Sequence, residues 1–323
     1  MSDNELEYTW DEGPRAGETY AGEWKNYKFH GKGKYTYMNG ATYEGEWKDG
    51  EYHGKGHFIY PADGADELEE WGAPIATVDP DIPKSHDEPP ADHGWVPGGC
   101  RMENGAYYGE SYEGEYKNGK MHGKGTYISN NGMKYVGEFQ NGLKHGKGTL
   151  DLPNGTKYVG EFKNEWRHGK GTLTFDNGDK LVAEFENDVQ HGQGVYTYAN
   201  GNKYEGEFVK GQKCGHGTYT NSGGGAYDGQ HKTYNVDAGT YVGQWKDNKP
   251  HGQGIETWTN SAGEEDKYEG EFWNGKPNGQ GTYTYSDGKK HEGEWKDGDY
   301  IQMGSVVIDD GELHSKRQEE GKK

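Results

Sequence analysis

The chain has 323 residues, and Leu, Ile, Val and Phe together supply only 35 of them, too few for an ordinary aliphatic core. A net charge of −20 disfavours general binding to nucleic acid or to an anionic bilayer, and two cysteines, Cys100 and Cys214, make neither a disulfide scaffold nor a metal motif. Yet 26 Tyr, 10 Trp and 57 Gly are not the composition of a disordered chain. Some periodic arrangement has to organise the rings.

Residues 1–19 read as an acidic N-terminal segment with no signal-peptide apolar stretch. The longest aliphatic run, Val306-Val307-Ile308, is too short to span a bilayer, so a soluble, intracellular protein is expected.

From Tyr20 onward the pattern Tyr-x-Gly-Glu-(Trp/Phe/Tyr) recurs, starting at Tyr20, Tyr43, Tyr112, Tyr135, Tyr158, Tyr204 and Tyr268, with weaker copies at Leu181, Tyr227, Tyr241 and His291. The commonest interval is 23 residues, and His-Gly-x-Gly follows ten residues after most starting positions. Each unit, about eleven in all, reads as two short strands. Tyr20, Gly22 and Trp24 fall on one face of the first, and Gly33, Tyr35 and Tyr37 on one face of the second. Asp49-Gly50, Asn118-Gly119 and Asn141-Gly142 follow first strands, and Asn39-Gly40, Asn131-Gly132 and Asn154-Gly155 follow second strands; all have the composition of type I′ hairpin turns. Glycines between rings are expected to leave slots that a ring of the neighbouring strand fills. The fold class is therefore all-β, an elongated solenoid-like strip of consecutive antiparallel hairpins.

Two stretches interrupt the period. Residues 61–105 form an acidic, Pro-rich insertion between repeats at 20–60 and 106–304. It is either an exposed loop without a role or a partner-binding arm with Trp71, Ile75, Val78, Ile82 and Trp95 as anchors. The 69-residue interval from Tyr43 to Tyr112 is three times 23, but residues 66 and 89 show no repeat, so the match is read as coincidence. Near 214–245 one unit is irregular, which implies either a kink between two arrays or simple drift. Residues 305–323 make a polar tail.

The unit Tyr43 to Gly56, Tyr-Glu-Gly-Glu-Trp-Lys-Asp-Gly-Glu-Tyr-His-Gly-Lys-Gly, resembles the MORN repeat, the membrane occupation and recognition nexus motif. An almost pure array with short acidic ends is similar to the radial spoke head type of ciliary MORN protein. That resemblance implies a non-catalytic scaffold in the axoneme of a cilium or flagellum, with protein partners that include another MORN chain or a second copy.

No nucleophile elbow, kinase loop or phosphate-binding loop occurs, so no enzyme activity and no cofactor are expected. The histidine column (His30, His53, His122, His145, His168, His191, His251) is spaced by whole repeats and reads as structural, without metal. The glutamate column (Glu23, Glu46, Glu115, Glu138, Glu161, Glu184, Glu207, Glu271, Glu294) reads as a solvated face paired across strands with Lys or Thr. The candidate partner-binding face is the ring row Tyr20, Trp24, Tyr43, Trp47, Tyr135, Phe139, Tyr158 and Phe162, expected to stay partly open as a groove for an extended peptide or a helix. A second candidate is the column Lys32, Lys55, Lys124, Lys147 and Lys170, which points to a peripheral adaptor binding phosphoinositides or an acidic partner. A third reading is a regulatory fragment of a larger enzyme.

Overall fold

The computed structural model describes residues 6–12, 15–61, 109–222, 238–259 and 263–301, and no helix occurs among them. The 61–103 arm beyond Pro61, with its proposed anchors, the weak copy at Tyr227 and the tail from Ser305 lie outside the described residues. The strands divide between two units.

The first unit contains β1 (Leu6–Thr9), β2 (Thr19–Lys25), β3 (Lys28–Thr36), β4 (Thr42–Lys48), β5 (Glu51–Ile59), β6 (Ser111–Lys117), β7 (Lys120–Ile128), β8 (Lys134–Gln140), β9 (Leu143–Asp151), β10 (Lys157–Lys163) and β11 (Trp166–Thr174). Each strand pairs antiparallel with its predecessor, so the sheet grows one hairpin at a time and does not close. Within the acidic N-terminal segment, β1 adds a strand to the free edge of β2, from Leu6 opposite Gly22 to Thr9 opposite Thr19. Trp10 packs edge-on to Phe29 at 6.1 Å and covers the first repeat.

β12 (Lys180–Glu186) crosses the boundary between the units. The second unit continues with β13 (Val189–Thr197), β14 (Lys203–Val209), β15 (Gln212–Asn221), β16 (Gly239–Lys246), β17 (Lys249–Thr259), β18 (Glu265–Trp273), β19 (Lys276–Thr284), β20 (Lys290–Lys296) and β21 (Asp299–Tyr300), paired in the same sequential way. Ten hairpins of the repeat pattern are present among the described residues.

Neither interruption breaks the ladder. β5 pairs directly with β6 from Gly54 opposite Tyr116 to Ile59 opposite Ser111, so the long insertion stands where other repeats have a short turn. Likewise β15 meets β16 over seven residues, from Gly215 opposite Trp245 to Asn221 opposite Gly239.

The two turns of each repeat differ, which revises the expectation of one turn type. Asn141 (φ 54°) and Gly142 (φ 90°) are both left-handed, as a type I′ turn requires. After second strands only the glycine is left-handed, as at Gly40 (φ 79°). Gly40 N–H donates to Tyr37 O and Tyr37 N–H to Ala41 O, a type I turn closed by a glycine bulge. Asparagine is suited to this loop because its side chain accepts from the main chain two residues on: Asn39 Oδ1 from Ala41 N at 3.0 Å, and Asn154 Oδ1 from Thr156 N at 3.0 Å.

The core is the tyrosine that opens each repeat. Tyr20, Tyr43, Tyr135, Tyr158, Tyr204 and Tyr268 are fully buried. Each lies flat over the paired glycines of its own hairpin: a Cβ on Gly148 would stand 2.4 Å from Tyr135 Cε2, and one on Gly137 2.5 Å from its hydroxyl. The slot is thus filled by the repeat's own tyrosine and not by a ring of the neighbouring strand. Its hydroxyl donates to the carbonyl three residues on, as from Tyr43 to Glu46 O at 2.8 Å. Edge-to-face contacts then link the repeats: Tyr135 meets Phe139 at 5.1 Å and Phe162 of the next hairpin at 5.0 Å, and Tyr241 meets Trp245 at 5.3 Å and Phe272 at 4.9 Å.

Gly148→Val forces the Tyr135 ring out of its slot, and overpacking of this kind costs about 3 kcal/mol. Amide exchange should show β8, β9 and their immediate neighbours losing protection first, because coupling runs from repeat to repeat. Equal loss in every hairpin would contradict that coupling.

Candidate functional site

The ring row expected to form a partner groove is mostly core. Tyr20, Tyr43, Trp47, Tyr135, Phe139, Tyr158 and Phe162 are all at most 5% exposed, and only Trp24 is half-exposed. The reason is the glycine pair, which lets each tyrosine fold down and close the face with the aromatic four residues on. Trp47 Nε1 reaches back to Gly33 O of the preceding hairpin at 3.1 Å. Trp24 has only β1 before it, and its Nε1 is buried without a hydrogen bond.

Accessible rings on this face belong instead to second strands and the turns after them. In the first unit Tyr37, Phe58 and Tyr60 are half-exposed and in contact, Tyr37 with Phe58 at 5.9 Å and Phe58 with Tyr60 at 4.7 Å. The second unit has Tyr196 beside Tyr198 at 4.5 Å, and Trp258, Tyr283 and Tyr285 in a row, at 5.3 and 4.5 Å. Carboxylates two residues before the position that opens a repeat, Leu181 or Tyr268, hold Tyr196 and Tyr283 in place. Asp179 Oδ2 accepts from Tyr196 at 2.6 Å and Asp266 Oδ2 from Tyr283 at 2.8 Å, while their second oxygens cap Ala199 N and Ser286 N. Glu18 accepts from Tyr35 in the first unit.

The sequence reading placed Tyr35 and Tyr37 on one face but not the burial difference between strands. A usable signal was present: first-strand tyrosines have a glycine two residues on and another across the hairpin, whereas Tyr37 and Tyr60 do not.

The lysine column is exposed throughout: Lys32, Lys55, Lys124, Lys147 and Lys170. It stands on the face opposite the tyrosines, and four of its members lie directly across from a glutamate: Lys32 and Glu46, Lys55 and Glu115, Lys124 and Glu138, Lys147 and Glu161. Opposite charges alternate along this row, so it is not a continuous cationic line.

The glutamates have a second task that the sequence did not reveal. Glu23 Oε1 accepts from Lys32 N at 2.8 Å and Glu115 Oε1 from Lys124 N at 3.1 Å, across the bulge made by His-Gly-x-Gly. The first glycine of that motif is left-handed (Gly54, φ 56°), and the Glu46 carboxylate occupies the place a Cβ would take, 2.4 Å away. The histidine rings make little use of their nitrogens: Nδ1 of His122, His145 and His168 is buried without a hydrogen bond. Among the described residues no three of His, Cys, Asp and Glu gather as metal ligands do.

Three hairpins place a cation on their tyrosine. Lys144 Nζ lies 5.8 Å from the Tyr135 ring centre and pairs with Glu165 at 2.7 Å. Arg167 lies 5.7 Å from Tyr158 and pairs with Asp188 at 2.9 Å. Lys213, 5% exposed, faces Tyr198, Tyr204, Tyr219 and Trp245 at 5.1 to 5.8 Å.

A single layer of hairpins with this repeating ring core defines a repeat protein. The family model for the MORN repeat matches residues 20–42, 43–64, 112–134, 135–157, 158–180, 182–203, 204–226, 241–262 and 268–290. The chain belongs to the MORN repeat family. MORN repeats are generally protein-interaction modules without catalysis of their own. No curated protein matches the chain. Among solved structures, it is similar to the SAS-4 (dCPAP) TCP domain of Drosophila melanogaster in complex with a proline-rich motif of Ana2 (dSTIL), with 12% identity over 54% of this chain and 85% of that one, at a TM-score of 0.29.

Two carboxyls on the ring face are set apart by burial. Desolvation pushes Glu110 up to about 6, against a hydrogen bond from Tyr127, and Glu256 up to about 7. A carboxyl raised in the folded state binds its proton more tightly there than in the unfolded chain. Its contribution is therefore full below about pH 4.5 and is lost as pH rises through 7. Glu256→Gln should accordingly raise amide protection of β16–β18 at pH 8 and leave it little changed at pH 5. Equal protection of the two proteins at pH 8 would refute a desolvated carboxyl.

Proposed function

We propose that this chain is a non-catalytic scaffold that holds partner proteins against the half-exposed second-strand rings of its tyrosine face, within a large cytoskeletal assembly. The observation that carries this reading is the set of rings on this face that the core leaves open. First-strand rings are consumed in the core, while Tyr37, Phe58 and Tyr60 in one unit, and Trp258, Tyr283 and Tyr285 in the other, keep surface that water can reach. Among them Tyr283, anchored by the buried Asp266 carboxylate, loses little entropy on binding and suits protein recognition. The nearly pure repeat array supports a place in the ciliary axoneme, such as the radial spoke head, with a second MORN chain or a further copy among the partners.

The adaptor reading through Lys32, Lys55, Lys124, Lys147 and Lys170 has less support, because an alternating row offers an anionic lipid surface as many repelling charges as attracting ones. At about 0.15 M salt, where screening reaches ~8 Å, replacing all five by Gln should leave sedimentation with phosphoinositide vesicles unchanged. Strong vesicle binding that the five substitutions abolish would put the membrane reading first.

Expressed in ciliated cells, the tagged chain should be retained in detergent-extracted axonemes. Tyr37→Ser with Tyr60→Ser should release it while circular dichroism stays that of the parent. A wild-type chain extracted entirely by detergent would overturn the axonemal placement, and undiminished retention of the double variant would overturn the ring-face assignment.

A further inference from the structure

On the ring face of the second unit one position departs from the pattern. Glu256 of β17 stands directly opposite Tyr241 of β16 and Tyr268 of β18, in the column that holds Tyr35, Tyr127, Tyr196, Tyr219 and Tyr283 in other hairpins. A carboxylate has replaced a ring in an aromatic wall. It is half-buried, and among the described residues it makes no hydrogen bond or ion pair.

The surroundings make this unusual. Where Lys144, Arg167 and Lys213 lie on the tyrosines of their own hairpins, the same position in the β16–β17 hairpin is Pro250, and in the next hairpin Pro277. The chain thus supplies its own cation to the ring face in three repeats and withholds it here, where it also adds an acid. The groups facing Glu256 are Tyr241 and Tyr268, and next along lies Asp266, which already holds Tyr283 and Ser286 N. Lys267 stands on the opposite face, bound to Glu269 at 2.7 Å. Beside the carboxylate, Trp258 meets Tyr283 edge-on at 5.3 Å.

We propose that Glu256, half-buried at a position that holds a tyrosine in five other hairpins, is the subsite for one arginine or lysine side chain carried by an extended segment of a partner protein. This rests on the ring-face reading above and names the chemistry of one contact on that face. A guanidinium laid there receives the carboxylate that Asp188 gives Arg167 internally. The net charge of −20 favours approach of a basic segment.

The test uses the full chain and the peptide acetyl-Ala-Ala-Arg-Ala-Ala-amide, with its citrulline counterpart as the uncharged isostere, followed by amide NMR at pH 8 and about 0.15 M salt. Saturable shifts should centre on β16–β18. The citrulline peptide and the variant Glu256→Gln should each bind at least tenfold more weakly, whereas Glu44→Gln, the same charge change on the outer face, should stay within twofold. Binding should also weaken from pH 8 to pH 6. If Glu256→Gln binds like the parent while Trp258→Leu, with an otherwise unchanged spectrum, binds poorly, the cation subsite is wrong and the ring-face reading stands. If neither change matters and shifts spread over the acidic surface, both fail. If sedimentation shows a dimer that Glu256→Gln dissolves, the occupant is a second copy and the partner assignment is overturned.

Discussion

The structure depends on one contact repeated along the chain: a tyrosine ring lying flat on the two glycines of its own hairpin. Neither partner can be altered independently, since a Cβ on Gly33 would sit 2.3 Å from the Tyr20 hydroxyl and one on Gly56 2.4 Å from that of Tyr43. The hydroxyl then bonds a main-chain carbonyl, so burial of the phenol leaves no unpaired polar group. This is how a chain with so few aliphatic residues obtains a core. Each tyrosine supplies a large apolar surface, and the glycines supply the space for it.

The other columns follow from that contact. The aromatic four residues on is pressed edge-on against its own tyrosine and the preceding one, which couples neighbouring repeats. Glycine at the bulge lets the second strand turn past the tyrosine hydroxyl, and the glutamate carboxylate satisfies the amide the bulge exposes. The outer face is left to alternating charge. What the tyrosines leave open on their face is a set of half-exposed rings such as Tyr37, Phe58 and Tyr60, to which the proposed partner contacts are assigned.

Much of this was legible in the sequence. The 23-residue interval and the alternation around Tyr20, Gly22 and Trp24 are local signals, and strands and first turns follow from them directly. What was not legible depended on three-dimensional choice. Asn39-Gly40 has the same composition whether it forms a type I′ turn or a type I turn with a glycine bulge, and the outcome is set by strand register. Whether Tyr43 or Tyr37 stays open depends on which ring the glycine slot receives, and alternation places both on one face. Leu6–Thr9 reads as a short acidic stretch and becomes a strand only because the edge of β2 is free. Glu256 sits in a position that alternation identifies but that composition gives no reason to single out.

Tyrosine accessibility in the folded chain addresses the central claim most directly. Brief treatment of the full protein with tetranitromethane, followed by peptide mass spectrometry, should nitrate Tyr27, fully exposed, and Tyr285, 37% exposed, while Tyr43, Tyr135, Tyr158, Tyr204 and Tyr268 react only after unfolding. Nitration of Tyr43 and Tyr135 in the folded protein at the rate of Tyr27 would show that the repeat tyrosine is not the core, and the account built on it would fall.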